Sequence, residues 1–128
     1  MSSNQQVISA SWPAGGHYSH AITATGRLVF LAGQTAAVPG PELASLDVRE
    51  QTRRCIERIR TLVEQAGGDL SDVVKTTCFL ADIADFQAFN EVYAEAFADD
   101  PPTRSTFQVG AFPNGLLVEI EAIAVVDG

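Results

Sequence analysis

Three residues near the C-terminal end of the chain have side chains that could bind and activate a small acid. Arg104 precedes the apolar run 117–126, in which Glu119 and Glu121 are the only charged residues. An arginine can bind a carboxylate through two parallel hydrogen bonds, and a carboxylate in a partly apolar pocket can act as an acid or a base. Arg104 and Glu119 are therefore candidates for a site that binds a small anion. A structural ion pair, inside one subunit or between two, is the alternative.

The run 117–126 is predicted to be a β-strand that is apolar on both faces, apart from two carboxylates on one of them. Period-two geometry divides the run into two faces. One face carries Leu117, Glu119, Glu121, Ile123 and Val125, and the other carries Val118, Ile120, Ala122 and Ala124. A strand that is apolar on both faces is normally covered on both. Because an unpaired buried carboxylate is costly, both glutamates need cations, hydrogen-bond donors or water, and Arg104 is the nearest candidate cation in sequence.

Three further residues are candidates for the lining of such a site. Tyr18 follows two glycines and could place its hydroxyl in a pocket, or it could be a half-buried strand tyrosine. Asn90 lies toward the apolar face of a predicted helix, where it must be hydrogen-bonded either to a ligand or to a neighbouring backbone group. Gly33, at the end of a predicted strand, could expose backbone N–H groups to a ligand.

The histidines and cysteines do not form a recognisable metal site in the sequence. His17 and His20 lie close together, but a zinc site needs three or four ligands and no further histidine or suitable cysteine pair is near. We expect both histidines to be hydrogen-bonded or at the surface. Cys55 and Cys78 lie in apolar patterns and are predicted to be buried thiols. Phosphate loops, dinucleotide fingerprints and nucleophile elbows are absent from the sequence.

Composition predicts one soluble globular domain spanning residues 1–128. The chain has 46% hydrophobic and 19% charged residues, a typical globular balance. No apolar run approaches the roughly 20 residues that span a bilayer, and residues 1–6 lack the features of a signal peptide. We therefore expect a cytoplasmic protein with no membrane partner.

The charge of the chain argues against nucleic acid as a partner. Eight basic and sixteen acidic residues give a formal net charge of −8, which repels phosphate backbones. Four arginines between positions 53 and 60 form the densest basic segment, but glutamates alternate with them. We interpret this segment as the solvated face of a helix.

The pattern of elements predicts an α+β fold, with two helices on one face of a mixed sheet of about six strands. The predicted strands are 5–10, 20–25, 28–32, 73–80, 104–109 and 116–126, and the predicted helices begin near Leu46-Asp47 and near Asp82 or Asp85. Gly26 is expected to form a tight hairpin between the second and third strands. Because no helix remains to cover the second sheet face, another copy of the chain is expected to cover it.

Several segments, in order and at matching spacing, resemble one known family. They are Gly33-Gln34, Val74-Lys75-Thr76-Thr77, Phe86 with Asn90 and Tyr93, Pro102-Thr103-Arg104-Ser105 and the run from Val118 to Ala124. The combination resembles the Rid family of reactive-intermediate deaminases, also called YjgF-like or endoribonuclease L-PSP-like proteins. The resemblance implies a chorismate-mutase-like fold and a homotrimer with clefts between subunits. It also implies hydrolysis of enamine and imine acids to 2-oxo acids and ammonia, without a metal or an organic cofactor.

The resemblance also assigns roles to the candidate residues. It implies that Arg104 holds the substrate carboxylate and that Glu119 positions or activates water. By the same resemblance, Tyr18 and Asn90 occupy pocket positions and Gly33 lines the cleft.

The chain departs from the family pattern at three pocket positions. Ala32 stands where a serine is expected, Thr106 where a cysteine is expected, and His17 where a proline is common. These changes leave two alternatives open. One is an enzyme of a specialised pathway that acts on a larger nitrogenous acid, and the other is a trimer that binds small carboxylates without catalysis.

Overall fold

Six strands and two α-helices make up the fold in the computed structural model, which describes residues 4–127. The strands are β1 (Gln5–Ile8), β2 (Ala21–Ala24), β3 (Arg27–Gln34), β4 (Val73–Leu80), β5 (Thr103–Gln108) and β6 (Val118–Val126), and the helices are α1 (Val48–Gln65) and α2 (Phe86–Ala96). The predicted α+β class, the number of strands and the number of helices are confirmed. Among the described residues, no helix has the length and apolar character needed to cross a bilayer.

The main sheet has four strands in the order β3-β6-β4-β5, and β1 and β2 form a separate antiparallel pair. β4 and β5 run parallel, whereas β6 is antiparallel to both β3 and β4. The sheet is therefore mixed, as predicted. Its two edges, β3 and β5, lie on opposite sides of the central strands.

The predicted hairpin at Gly26 is wrong. Gly26 does have a positive φ of 143°, but the strand before it pairs with β1 and the strand after it pairs with β6. Close approach of the backbone at Gly26 to the end of β6 explains why β3 pairs with β6 and not with β2. A Cβ at position 26 would lie 2.2 Å from the carbonyl oxygen of Val126, so the glycine allows β3 to begin directly against the end of β6.

Both helices pack against one face of the main sheet. Asp47 caps α1 by accepting a hydrogen bond from the backbone N–H of Glu50 at 2.9 Å. Apolar residues on the inner faces of the two helices form part of the core, and Ile59 and Val63 of α1 and Phe89 and Tyr93 of α2 are fully enclosed. Asp82 caps a short 3₁₀ turn before α2, and the Asp85 side chain makes no capping hydrogen bond.

The second face of the sheet is largely uncovered within the single chain. Along β6, Val118, Ile120, Ala122 and Ala124 are buried, in the alternation that the sequence predicts. Phe30 and Leu28 of β3 pair with Ile123 and Val125, whose side chains are on the other face. Phe30 is 72% exposed and Leu28 is 61% exposed, so an apolar surface lies open on this side.

Burial raises the pKa of both cysteine thiols. Each is a free, fully buried thiol, as predicted. Desolvation raises the pKa of Cys55 to about 12 and that of Cys78 to about 11, because burial disfavours the thiolate.

We predict that neither thiol reacts with a disulfide reagent at pH 8 in the folded protein. The thiolate is the reactive form, and it is scarce below such raised pKa values, whereas thiols in the unfolded chain titrate near pH 8.5. Absorbance of the released thiolate measures the reaction in buffer and in guanidinium. Rapid labelling in buffer, with the fold intact by circular dichroism, would contradict the predicted burial.

Candidate functional site

Arg104 points from β5 toward α2 and has no acidic partner in the described part of the chain. Its Nη1 donates a hydrogen bond to the side-chain oxygen of Asn90 at 2.7 Å. The salt bridges among residues 4–127 all involve other arginines. The side-chain oxygen of Asn90 therefore bonds to Arg104 rather than to a backbone group, and its contact with a ligand stays a prediction. Asn90 holds the guanidinium in place through a neutral oxygen and leaves the positive charge unneutralised.

Aromatic rings surround the guanidinium. The Cζ atom of Arg104 lies 4.8 Å from the ring centroid of Tyr93, 5.5 Å from Phe86, 5.8 Å from Phe89 and 6.0 Å from Tyr18. The faces of such rings attract a cation without forming the strong hydrogen bonds of a carboxylate. The guanidinium is thus stabilised and oriented, and it remains able to bind an anion.

Tyr18 and two glycines form one wall of a cavity beside Arg104. The Tyr18 hydroxyl accepts a hydrogen bond from the backbone N–H of Gly15 at 3.0 Å. A Cβ at Gly16 would lie 3.3 Å from Nη2 of Arg104, so the absence of a side chain keeps this wall close to the guanidinium. The cavity has a volume of about 210 Å³, and Phe86 and Thr106 complete its lining. We call this group the arginine half-site; it contains Arg104, Tyr18, Asn90 and Thr106.

Glu119 lies elsewhere, against the end of β3. A Cβ at Gly33 would lie 2.1 Å from the Oε2 atom of Glu119, so this carboxylate occupies the space that a side chain at position 33 would need. The pairing of β3 with β6 is irregular here, between Leu31 and Gln34. Ala32 is exposed beside Gly33. We call Glu119, Gly33 and Ala32 the glutamate half-site.

The two half-sites lie on opposite faces of the sheet within one chain. Arg104 is in register with Thr76, whose hydroxyl is 2.7 Å from that of Tyr93 on the helix-covered face. Glu119 is in register with Phe79, on the other face. Strand β4 separates β5 from β6 by two strand spacings, or about 10 Å. A single chain therefore does not bring Arg104 and Glu119 together.

The two histidines support the loop before β2. His17 hydrogen-bonds through Nε2 to the carbonyl oxygen of Phe97, and its ring meets Tyr93 edge to face at 6.3 Å. His20 bonds to the carbonyl oxygen of Trp12 at 2.9 Å. Among residues 4–127, no group of three histidine, cysteine or acidic side chains is arranged to hold a metal ion.

The aromatic surround of Arg104 is the part of this site that sequence reasoning missed. Phe86, Phe89 and Tyr93 recur at helical spacing, and this pattern predicts an ordinary buried face. Asn90 on the same helix was the available signal. Its neighbours on the helix surface, three and four residues away, include both Phe86 and Tyr93.

Comparisons with known proteins relate the chain to one family. The family model described as Endoribonuclease L-PSP matches residues 9–126. A RutC family protein of Pyrococcus abyssi is 44% identical over 110 residues, covering 85% of this chain and 86% of that protein. The human 2-iminobutanoate/2-iminopropanoate deaminase is 37% identical over 124 residues, covering 94% and 90%. A crystal structure of the Rid family protein YyfB of Yersinia pestis superposes with a TM-score of 0.80 at 26% identity, covering 96% and 99%.

We predict that Gly33→Ala displaces the Glu119 carboxylate while leaving the fold stable. The new methyl group would overlap that carboxylate, but a glutamate side chain can rotate away, so the free energy of unfolding should change by less than about 1 kcal/mol. Gly110→Ala is the matched control, because a Cβ there would meet no atom within 4 Å. Crystal structures and chemical denaturation of both variants measure the effect. An unmoved Glu119 in Gly33→Ala would contradict the packing described above.

Proposed function

Because the chain belongs to the Rid family of YjgF-like proteins, we propose that it is a deaminase, which hydrolyses reactive 2-imino and enamine acids to 2-oxo acids and ammonia. The observation that carries this proposal is the guanidinium of Arg104. It is ordered by Asn90 and four aromatic rings, has no acidic partner among residues 4–127, and faces a cavity sized for a small molecule. Such a group is suited to the carboxylate of a small acid.

The chemistry that we propose needs only water and positioned side chains. A water oxygen adds to the imine carbon, the electron pair of the C=N bond moves to nitrogen, and the resulting carbinolamine expels ammonia to leave the 2-oxo acid. Arg104 binds the carboxylate. Glu119 accepts a proton from the attacking water and passes it to the imine nitrogen, which gives the neutral carbinolamine. It then carries the proton of the carbinolamine hydroxyl to the same nitrogen, so that ammonia leaves as the C=O bond forms. The Tyr18 hydroxyl helps to orient the reacting group, and Gly33 and Ala32 line the cleft.

This reaction requires that two copies of the chain share each site. The arginine half-site includes edge strand β5, and the glutamate half-site lies where β6 meets the other edge strand, β3. An interface between two different edges is heterologous, and it closes into a ring when the rotation permits. We propose a homotrimer with three such clefts, in which the apolar surface around Phe30 and Leu28 is covered by neighbouring copies.

The description of the matching family model raises ribonuclease activity as another function. The net charge of −8 opposes binding of an RNA backbone. We therefore propose that the ligand is a small carboxylate and not a nucleic acid. We also propose that the protein acts in the cytoplasm, without a membrane partner and without a cofactor.

We predict that Arg104→Ala lowers kcat/KM for imine hydrolysis by about 100-fold or more, because a charge-assisted bidentate contact is lost. The substrate is a 2-imino acid formed in situ by an amino-acid oxidase, and the measurement is the rate at which the imine disappears. Arg49→Ala is the matched control, since it removes an arginine paired with Glu91 on the helix surface. An unchanged rate in Arg104→Ala would refute the role of this residue.

Binding of 2-oxobutanoate without turnover by the unaltered protein would instead support a non-catalytic binding trimer.

Mixing two inactive variants tests whether the site is shared between copies. We predict that Arg104→Ala and Glu119→Gln are each inactive, and that chains mixed by refolding recover activity. An interface that takes its arginine from one variant and its glutamate from the other is intact, so random mixing should restore up to about a quarter of the activity. The same assay measures this recovery, and each variant refolded alone is the control. No recovery, with mixed trimers demonstrated by native mass spectrometry, would show that sites are not shared in this way.

A further inference from the structure

The hydroxyl of Thr106 is buried and has no hydrogen-bond partner among residues 4–127. Buried polar groups in folded proteins are nearly always paired, because an unpaired one loses its bonds to water without replacement. Thr106 also lines the cavity beside Arg104. Thr106 therefore belongs to the arginine half-site, and a rotation about its Cα–Cβ bond would present the hydroxyl to a ligand that supplies the missing partner.

Other threonines in the chain show how readily such a hydroxyl is satisfied. Thr103, on the same strand, donates to the carbonyl oxygen of Val74 at 2.7 Å. Thr52 and Thr61 donate to backbone carbonyl oxygens one helical turn earlier. Thr106 makes no such bond, although it lies in an ordered strand.

The polar side chains nearest to Thr106 form hydrogen-bonding contacts with one another. Its register partner on β4 is Cys78, whose thiol is directed to the Thr76 hydroxyl at 3.9 Å. The Thr76 hydroxyl is itself paired with that of Tyr93. The Thr106 hydroxyl also lies close enough to the Cys78 thiol to lower the pKa of that thiol, but the contact does not have the geometry of a hydrogen bond. A thiol is in any case a weak hydrogen-bond partner, so this contact does not satisfy the hydroxyl.

The position of Thr106 relative to Arg104 limits which part of a ligand it can contact. The two residues are two positions apart on β5 and share a face, with their Cα atoms about 7 Å apart. The arginine side chain extends to Asn90 on α2, whereas the threonine side chain is short. A ligand atom at Thr106 is therefore several bonds from a carboxylate bound at the guanidinium, and it belongs to the side chain of the acid.

We propose that Thr106 is a specificity-determining residue, which selects 2-imino acids whose side chain carries a hydrogen-bonding group. This inference rests on the proposed function, in which Arg104 binds the carboxylate. A hydroxyl, amide or second carboxylate on the ligand side chain would pair with Thr106. A purely aliphatic side chain would cover the hydroxyl without pairing it, and a buried polar group without a partner is costly.

Two ligands that differ by one hydroxyl test the proposal directly. The stable products 2-oxobutanoate and 4-hydroxy-2-oxobutanoate replace the short-lived imines, and titration calorimetry measures their affinities for the trimeric protein. We expect the hydroxylated acid to bind about tenfold more tightly, the effect of one additional buried hydrogen bond. In Thr106→Val, which has the same shape without the hydroxyl, this preference should disappear. Thr106→Ser should keep most of it.

Thermal unfolding of the free protein gives a second, independent readout. Thr106→Val should raise the melting temperature, because it removes an unsatisfied buried group. The matched control Thr103→Val should lower it, because that change breaks the bond to Val74. A lower melting temperature in Thr106→Val would show that the hydroxyl is already paired in the free protein, and this would overturn the proposal.

The remaining outcomes separate this inference from the proposed function. Equal weakening of both ligands in Thr106→Val would mean that the hydroxyl contacts the shared carboxylate or carbonyl end, and unchanged affinities would mean that it contacts neither. Either result overturns the inference while leaving the proposed function in place, provided that Arg104→Ala abolishes binding. Failure of both acids to bind the unaltered protein would overturn the two together.

Discussion

The alternation of side chains along β6 is the constraint on which the rest of this structure depends. β6 is hydrogen-bonded to β3 on one side and to β4 on the other, so its register fixes the faces of both neighbours. One face of the strand packs beneath the helices. The other presents Glu119 and Glu121 among apolar residues. A shift of one residue would exchange these faces, burying both carboxylates in the core and exposing four apolar side chains.

The same alternation divides the candidate chemistry between two surfaces. Arg104 extends from β5 into the layer between sheet and helices, and Glu119 projects from the other face beside Gly33. The arginine is therefore free of the glutamate that would otherwise neutralise it inside its own chain. An Arg–Glu pair would have been a structural ion pair with little capacity for a ligand. Their separation leaves each group available, and it makes the assembly of several chains a condition of the proposed reaction.

The surroundings of Arg104 show how a cation can be held without being neutralised. Asn90 contributes an uncharged oxygen, and the rings of Tyr93, Phe86 and Phe89 contribute their electron-rich faces. These contacts orient the guanidinium while its charge remains available to an anion. Thr106 lines the same cavity, and its buried hydroxyl has no hydrogen-bond partner among residues 4–127. A guanidinium whose charge is not neutralised, beside a hydroxyl without a partner, is the arrangement expected where a ligand completes the bonding.

The sequence by itself determined the elements, the burial pattern and the identity of the candidate residues, because these depend on local periodicity and chemical type. The start of α1 near Asp47, the apolar face of α2 and the two faces of β6 all follow from residues that are near one another in the chain. Only the tertiary structure decided the pairing of β2 with β1, the bond from Arg104 to Asn90 and the separation of Arg104 from Glu119. These features depend on strand order and on contacts between distant segments, which the spacing of residues along a chain does not specify.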